Sequence, residues 1–190
     1  MELKIATHDS ATGEKGKGFL SWLVTPFAKT QSKTIAQQYQ AGCRSFDLRV
    51  KKVKDSWVCA HGLWKTKRTF EDIITELAQF PDRCQVSITY EGRAEHNDEL
   101  QEICRRFRIR FKHIIWGYIA VKYGKDSNGI VVKYDIIDNG QKGYEGGKQG
   151  FVPLDGRSWH TFIPIPWLWK KLYHNKPDFN NEYFIYVDFL

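Results

Sequence analysis

No stretch of this chain approaches the ~20 consecutive apolar residues that a bilayer-spanning helix needs, so no such helix is expected. Low-complexity tracts are absent, and no internal repeat of about 20–50 residues is visible, which argues against a repeat architecture. Met1-Glu2-Leu3-Lys4-Ile5-Ala6 lacks the basic start and longer apolar stretch of a secretory signal. The four cysteines, Cys43, Cys59, Cys84 and Cys104, show neither CxxC nor zinc-ligand spacing, so buried free thiols are expected. No recognised RNA-binding motif is present, although the net charge is +7.

What is there suits one sizeable core. The chain has 190 residues, 42% of them hydrophobic and 15% aromatic, including seven Trp, which predicts a single domain over 1–190. The positive charge clusters at Lys51-Lys52-Val53-Lys54, Lys65-Thr66-Lys67-Arg68, Arg105-Arg106-Phe107-Arg108-Ile109-Arg110 and Lys170-Lys171. Each run alone reads as a solvated face. Together they favour an anionic partner: an acidic membrane, a phosphate ester or nucleic acid.

Apolar and polar periodicity predicts strands at 3–7, 44–50, 57–60, 85–90, 114–123, 129–137 and 182–190. Helices are predicted at 34–41, at 98–107 behind an Asn97 cap, and after a Thr69 cap, with a short one near 19–24 inside a long 10–32 loop. A turn is expected at 124–129, a Gly-rich loop at 139–150, and an aromatic, proline-broken segment at 162–173. The first half alternates strand and helix, which predicts a parallel sheet. The fold expected is α/β, a TIM-type (β/α) barrel, compact and irregular or lacking several outer helices in its second half; ordinary barrels have ~250 residues.

Three short motifs carry chemistry: Thr7-His8-Asp9-Ser10, Arg44-Ser45-Phe46-Asp47-Leu48-Arg49 and Ala60-His61-Gly62. Each sits where a strand-like run gives way to a polar loop. Two imidazoles flanking a guanidinium can move a phosphoryl group by general acid–base chemistry without a metal. Residues two apart share a strand face, which groups Ser45, Asp47 and Arg49, then Cys59 with His61, then Ser87, Thr89 and Glu91. With strands 1, 2 and 3 side by side at ~4.8 Å spacing, His8 and His61 would start ~10 Å apart with Arg49 between them. Each residue has a plainer reading alone. His8 could be a hydrogen-bonded strand-end histidine, Asp47 and Arg49 a structural pair, and Glu91 and Asp188 fillers inside the barrel. Five such groups at the same end of separate strands favour a site.

The chain resembles the phosphatidylinositol-specific phospholipase C family, the X-domain-like phosphodiesterases. The resemblance runs through Thr7-His8-Asp9-Ser10-Ala11-Thr12, Thr30-Gln31, Gln37-Gln38, Gly42-Cys43-Arg44-Ser45-Phe46-Asp47-Leu48-Arg49 and His61-Gly62, and returns at Val187-Asp188-Phe189. It implies that His8 is the general base on an inositol 2-hydroxyl and His61 the acid that protonates the leaving oxygen. Arg49 would hold the phosphoryl oxygens, Asp188 would orient His8, Asp9 would orient His61, and Asp47 would support Arg49. The product would be a cyclic inositol phosphate, open to later hydrolysis. In calcium-dependent relatives an acidic ligand occupies the place of Arg49, so metal-independent chemistry without a cofactor is expected, with Asp47 and Glu91 as residual acidic groups.

Glu91, Lys133, Asp135 and Tyr144 are candidates to bind the substrate head group, although Lys133 and Asp135 read equally as a solvated hairpin. Phe19 and Trp22, where the family has a membrane-touching helix, and Trp167 and Trp169 beside Lys170-Lys171 are candidates for contact with a peripheral membrane surface. The expectation is a monomer acting on a phosphoinositide or other phosphodiester, with no nucleic-acid partner. Cleavage of another phosphodiester with a neighbouring hydroxyl, RNA included, is the rival within enzymes. A non-catalytic barrel that binds anionic lipid or protein is the rival outside them. Glycerophosphodiester hydrolysis is disfavoured, because that related family begins with His-Arg and a nearby acidic metal set. Family habit suggests secretion and the visible N-terminus does not, so the compartment stays open.

Overall fold

The computed structural model describes residues 5–126, 129–136 and 185–187. They form one mixed sheet of eight strands built around β2 (Cys43–Val53). One edge of β2 pairs in parallel with β5 (Gln85–Tyr90), setting Asp47 opposite Ser87 and Arg49 opposite Thr89. The other edge is shared by two strands. β1 (Ile5–Thr7) runs parallel to the first half of β2, with Ala6 opposite Ser45 and Thr7 opposite Phe46. β3 (Ser56–His61) runs antiparallel to the second half, from Val53 opposite Ser56 to Val50 opposite Cys59. The chain leaving β1 at His8 and the chain finishing β3 at His61 therefore meet on one edge of β2.

This corrects the expected parallel order, in which β2 would separate the two histidines. The β2–β3 connection is a tight hairpin through Lys54, whose φ of 55° lies in the left-handed region, so it carries none of the Gly or Asn that marks such turns in a sequence. A further strand that the sequence reading did not anticipate, β4 (Trp64–Thr69), continues the meander antiparallel to β3. β6 (Ile115–Asp126) lies parallel to β5, β7 (Gly129–Ile136) antiparallel to β6, and β8 (Ile185–Val187) parallel to β1. β6 runs into the expected 124–129 turn. Among the described residues the sheet is mixed and does not close, so the architecture is α/β but not a complete barrel.

The expected 10–32 loop holds a 3-10 turn (Ser10–Gly13) and α1 (Gly18–Ala28), longer than anticipated. α2 (Ile35–Gln40) and α3 (Phe70–Gln79) both begin with capping boxes, Thr34 with Gln37 and Thr69 with Asp72. α4 (Asn97–Arg110) starts one residue earlier than expected, with His96 in the cap position and Asn97 inside the helix. Its last turn carries Arg108 and Arg110, which suit the negative end of the helix dipole.

The core lies between the sheet and α3 and α4. Phe46, Leu48 and Val50 project from β2 and Val86, Ile88 and Tyr90 from β5 against Ile73, Ile74, Leu77, Leu100 and Phe107. Each such aliphatic or aromatic side chain contributes about 1.5–3 kcal/mol on full burial. The four cysteines are free and buried. The alternate residues of β2, Ser45, Asp47 and Arg49, face the other way, and that face carries the polar cluster. The 139–150 and 162–173 segments lie outside the described residues.

Candidate active site

β1 ends in a sharp turn that fixes His8 and Asp9. Asp9 adopts φ 46° and ψ 46°, a left-handed conformation that Asp tolerates better than most side chains. Thr12 Oγ1 donates to Asp9 O at 2.8 Å and accepts from the backbone N–H groups of Thr30 and Gln31, both at 3.1 Å. Gln31 Nε2 and Thr30 Oγ1 donate to His8 O at 3.0 and 3.3 Å, and Gln38 Nε2 donates to Ser10 O at 2.8 Å. The Thr30-Gln31 and Gln37-Gln38 pairs had no assigned role in the sequence reading. Here Thr30, Gln31 and Gln38 brace the backbone that presents His8.

Six ionisable side chains converge on this edge of β2: His8, Asp9, Asp47, Arg49, His61 and Glu91. Asp9 lies at their centre. Its Oδ2 is 3.6 Å from His8 Nε2 and 3.6 Å from His61 Nδ1, and its Oδ1 pairs with Arg49 Nε. Asp47 Oδ2 accepts from the Asp9 backbone N–H at 3.4 Å. Glu91 Oε1 accepts from Arg49 Nη1 at 3.0 Å, while its Oε2 accepts from the Gly62 N–H at 2.7 Å. Gly62 has φ 60°, a left-handed conformation that glycine adopts most readily. Glu91 thus ties the turn carrying His61 to the guanidinium of β2.

The hydrogen bonds fix which imidazole nitrogens carry protons. A guanidinium has no acceptor, so Arg49 Nη2, 2.9 Å from His8 Nε2, must donate and that nitrogen must be unprotonated. His61 Nδ1 lies 2.7 Å from Ala28 O, the last carbonyl of α1, and so donates to it. Its Nε2 is the nitrogen left for a substrate. The Ala28 carbonyl had no signature in the sequence, because a backbone acceptor leaves none.

The charges are arranged to keep Asp9 ionised. Burial pushes its carboxyl up, but His8 and His61 in their protonated forms, together with Arg49, outweigh that and hold it below the ordinary value. Burial and the neighbouring Asp9 charge push Asp47 the other way, above its ordinary value. Burial works against the Arg49 charge, yet Asp9, Asp47 and Glu91 raise its pKa further, so it stays cationic. His8, Asp9 and Asp47 also offer ligand atoms within 4.8 Å of one another, a spacing that could hold a metal ion. Arg49 already pairs with Asp9, so a divalent cation there would face a fixed positive charge, and these residues fit such an ion poorly.

Phe19 and Trp22 stand on α1, 74% and 68% exposed. The backbone of Lys133 and Asp135 lies on β7, opposite Val121 and Ile119. Tyr144, Trp167, Trp169 and Asp188 lie outside the described residues.

No family model matches this chain, and no curated protein matches it. Among solved structures it is similar to a double mutant of the phosphatidylinositol-specific phospholipase C from Staphylococcus aureus, with 21% identity, 57% of this chain and 37% of that one covered, and a TM-score of 0.45. It is similar to a second mutant of the Staphylococcus aureus protein at 22% identity, 57% and 38% coverage and a TM-score of 0.43. It is also similar to the phosphatidylinositol-specific phospholipase C from Listeria monocytogenes at 25% identity, 68% and 46% coverage and a TM-score of 0.45. The chain spans less than half the length of each.

Proposed function

We propose that this chain is a phosphodiesterase of the phosphatidylinositol phospholipase C type, acting by metal-independent acid–base chemistry on a phosphodiester that has a neighbouring hydroxyl. The observation that carries this reading is one buried carboxylate, Asp9, 3.6 Å from an imidazole nitrogen on either side and paired with Arg49. A structural ion pair needs one carboxylate and one cation. Two imidazoles held around that pair, each with a ring nitrogen whose proton is assigned by its partner, are what a proton-transfer site requires.

In the resting arrangement Arg49 donates to the lone pair of His8 Nε2. A phosphodiester would bring anionic oxygens that attract the guanidinium more strongly than a neutral imidazole does. Arg49 would turn its Nη2 to the phosphoryl oxygens and release the His8 lone pair. His8 would take the proton of the neighbouring hydroxyl as that oxygen bonds to phosphorus. The bond to the leaving oxygen would break as His61, protonated beside Asp9, delivers its Nε2 proton. Arg49 would hold the negative charge that builds on phosphorus, a role its planar fork performs better than an ammonium. The product is a cyclic phosphodiester, which water could open with the two histidines exchanging roles.

An inositol lipid is favoured over RNA by the exposed apolar face of α1, since the same six side chains would serve either hydroxyl. Lys133, Asp135 and Tyr144 remain candidates for the head group and Asp188 for the orientation of His8. Phe19 and Trp22, with Trp167 and Trp169, remain candidates for the membrane contact. The test is product formation from phosphatidylinositol vesicles by the parent, His8→Ala and His61→Ala proteins, with and without a chelator. Each substitution should lower the rate by ~10²–10⁴-fold and the chelator should leave the parent rate unchanged. Near-parent cleavage by either variant removes that histidine from its role, and a large loss on chelation overturns the metal-free reading.

A further inference from the structure

The segments 15–17 and 65–67 pair as a short antiparallel ribbon. Lys17 N donates to Lys65 O and Lys67 N donates to Lys15 O, both at 2.8 Å, with Gly16 opposite Thr66. Opposed residues share a face and neighbours alternate between faces. Thr66 is fully buried, with its Oγ1 bonded to the backbone of Cys59 and Arg68. A side chain on Gly16 would meet Trp64 and Ser21. The inner face is therefore filled, and Lys15, Lys17, Lys65 and Lys67 project from the outer one. Lys15, Lys17 and Lys67 are exposed and Lys65 is half-buried. Among the described residues no carboxylate pairs with any of the four.

Like charges placed directly across a ribbon repel and cost stability. Solvated lysines scattered over a surface do not incur that cost; a quartet in cross-strand register does, and an external anionic surface would offset it. The neighbouring surface says which kind. α1 follows Lys17 directly and is fastened to β4 by Ser21, whose Oγ accepts from Lys65 N at 3.1 Å. α1 exposes Phe19, Leu20, Trp22, Leu23 and Phe27, and Leu63 before β4 is 59% exposed. Nucleic acid would use the ammonium groups but has no use for exposed Leu and Phe. A bilayer of anionic lipid uses both, apolar side chains at the acyl boundary and lysines at the head groups.

We propose that Lys15, Lys17, Lys65 and Lys67, together with the apolar face of α1, form a docking surface selective for anionic lipid bilayers. This goes beyond contact through Phe19 and Trp22, because it assigns a charge preference and the residues that set it. It also stands apart from hydrolysis, since binding is read without any substrate. The experiment is co-sedimentation of the full chain with vesicles of phosphatidylcholine alone or phosphatidylcholine doped with phosphatidylserine, across a salt series, with a single-stranded RNA oligonucleotide as competitor.

The parent should bind the doped vesicles more tightly than the plain ones and lose that preference as salt rises. Each Lys→Gln change should weaken binding to doped vesicles about fivefold, so Lys15→Gln with Lys67→Gln should weaken it about 25-fold. Unchanged circular dichroism and melting would confirm that the variant is folded; Lys17→Gln with Lys65→Gln is the second pair should the first fail to fold. Equal binding to both vesicle types, no binding to either, or parent-like binding by both folded pairs overturns the proposal. Displacement from doped vesicles by RNA at lower concentration than by free phosphatidylserine vesicles assigns the surface to nucleic acid instead.

Discussion

Replacing Asp9 by Asn keeps its shape and leaves His8, His61 and Arg49 facing a neutral amide. Asp9 binds its proton more weakly in the fold than in the unfolded chain, so its ionised form favours the fold. That contribution is complete above the ordinary carboxylate pKa and is lost as pH falls through the lower folded value. Asp9→Asn should therefore flatten the acid side of a stability-against-pH curve measured by denaturant titration; a curve parallel to the parent's would mean that Asp9 is not held ionised by its neighbours. At the same scale, Arg49→Lys keeps a positive charge but cannot reach Asp9, Glu91 and His8 together, as the guanidinium does with three nitrogens. Steady-state kinetics should show kcat reduced by about 10²–10³-fold, the usual cost of losing a donor aimed at developing charge. A parent-like kcat would reduce Arg49 to a simple point charge.

Glu91, at the end of β5, shows how an element can matter through what it ties together. The following residue, Gly92, lies so close to Tyr90 that a Cβ there would overlap the ring and hydroxyl. The Tyr90 hydroxyl is itself fixed, donating to Arg93 O at 2.9 Å. Gly92→Ala should push the loop off the ring and cost about 1–3 kcal/mol, the usual range for overpacking. Denaturant unfolding would show it, and stability equal to the parent's would mean that the loop simply relaxes. This scale also separates what the sequence revealed from what it did not. α3 begins where the Thr69 cap and its acidic first turn predict, and β5 has its predicted bounds, because both carry local signals. β4 was missed because Trp64 and Thr66 point inward between the outward Lys65 and Lys67, so its charges masked the alternation. The α4 start was misplaced because His96 holds the position that Asn97 would ordinarily fill.

Across the whole molecule, the candidate site was legible in its residues but not in its geometry. His8, Asp47, Arg49, His61 and Glu91 could be named from strand-end position and residue type, and Asp9 through the family resemblance. The antiparallel turn-back of β3, which places His61 on the same edge of β2 as His8, could not, because it depends on a left-handed Lys54 and on long-range pairing. The braces at Thr12, Thr30 and Gln31 and the Ala28 carbonyl were hidden for the same reason: they act across more than 15 residues of chain. The open, mixed sheet replaces the expected parallel barrel without disturbing the cluster, since its six side chains lie on or just after β1, β2, β3 and β5. The central claim is that a neighbouring hydroxyl attacks phosphorus while His8 takes its proton and His61 gives its own Nε2 proton to the leaving oxygen. Phosphorus NMR of phosphatidylinositol in detergent micelles, followed through the reaction with the parent protein, tests that most directly. The account predicts a cyclic inositol phosphate signal first, with any open monoester growing only at its expense. A monoester that appears from the start, with no cyclic species before it, would contradict it.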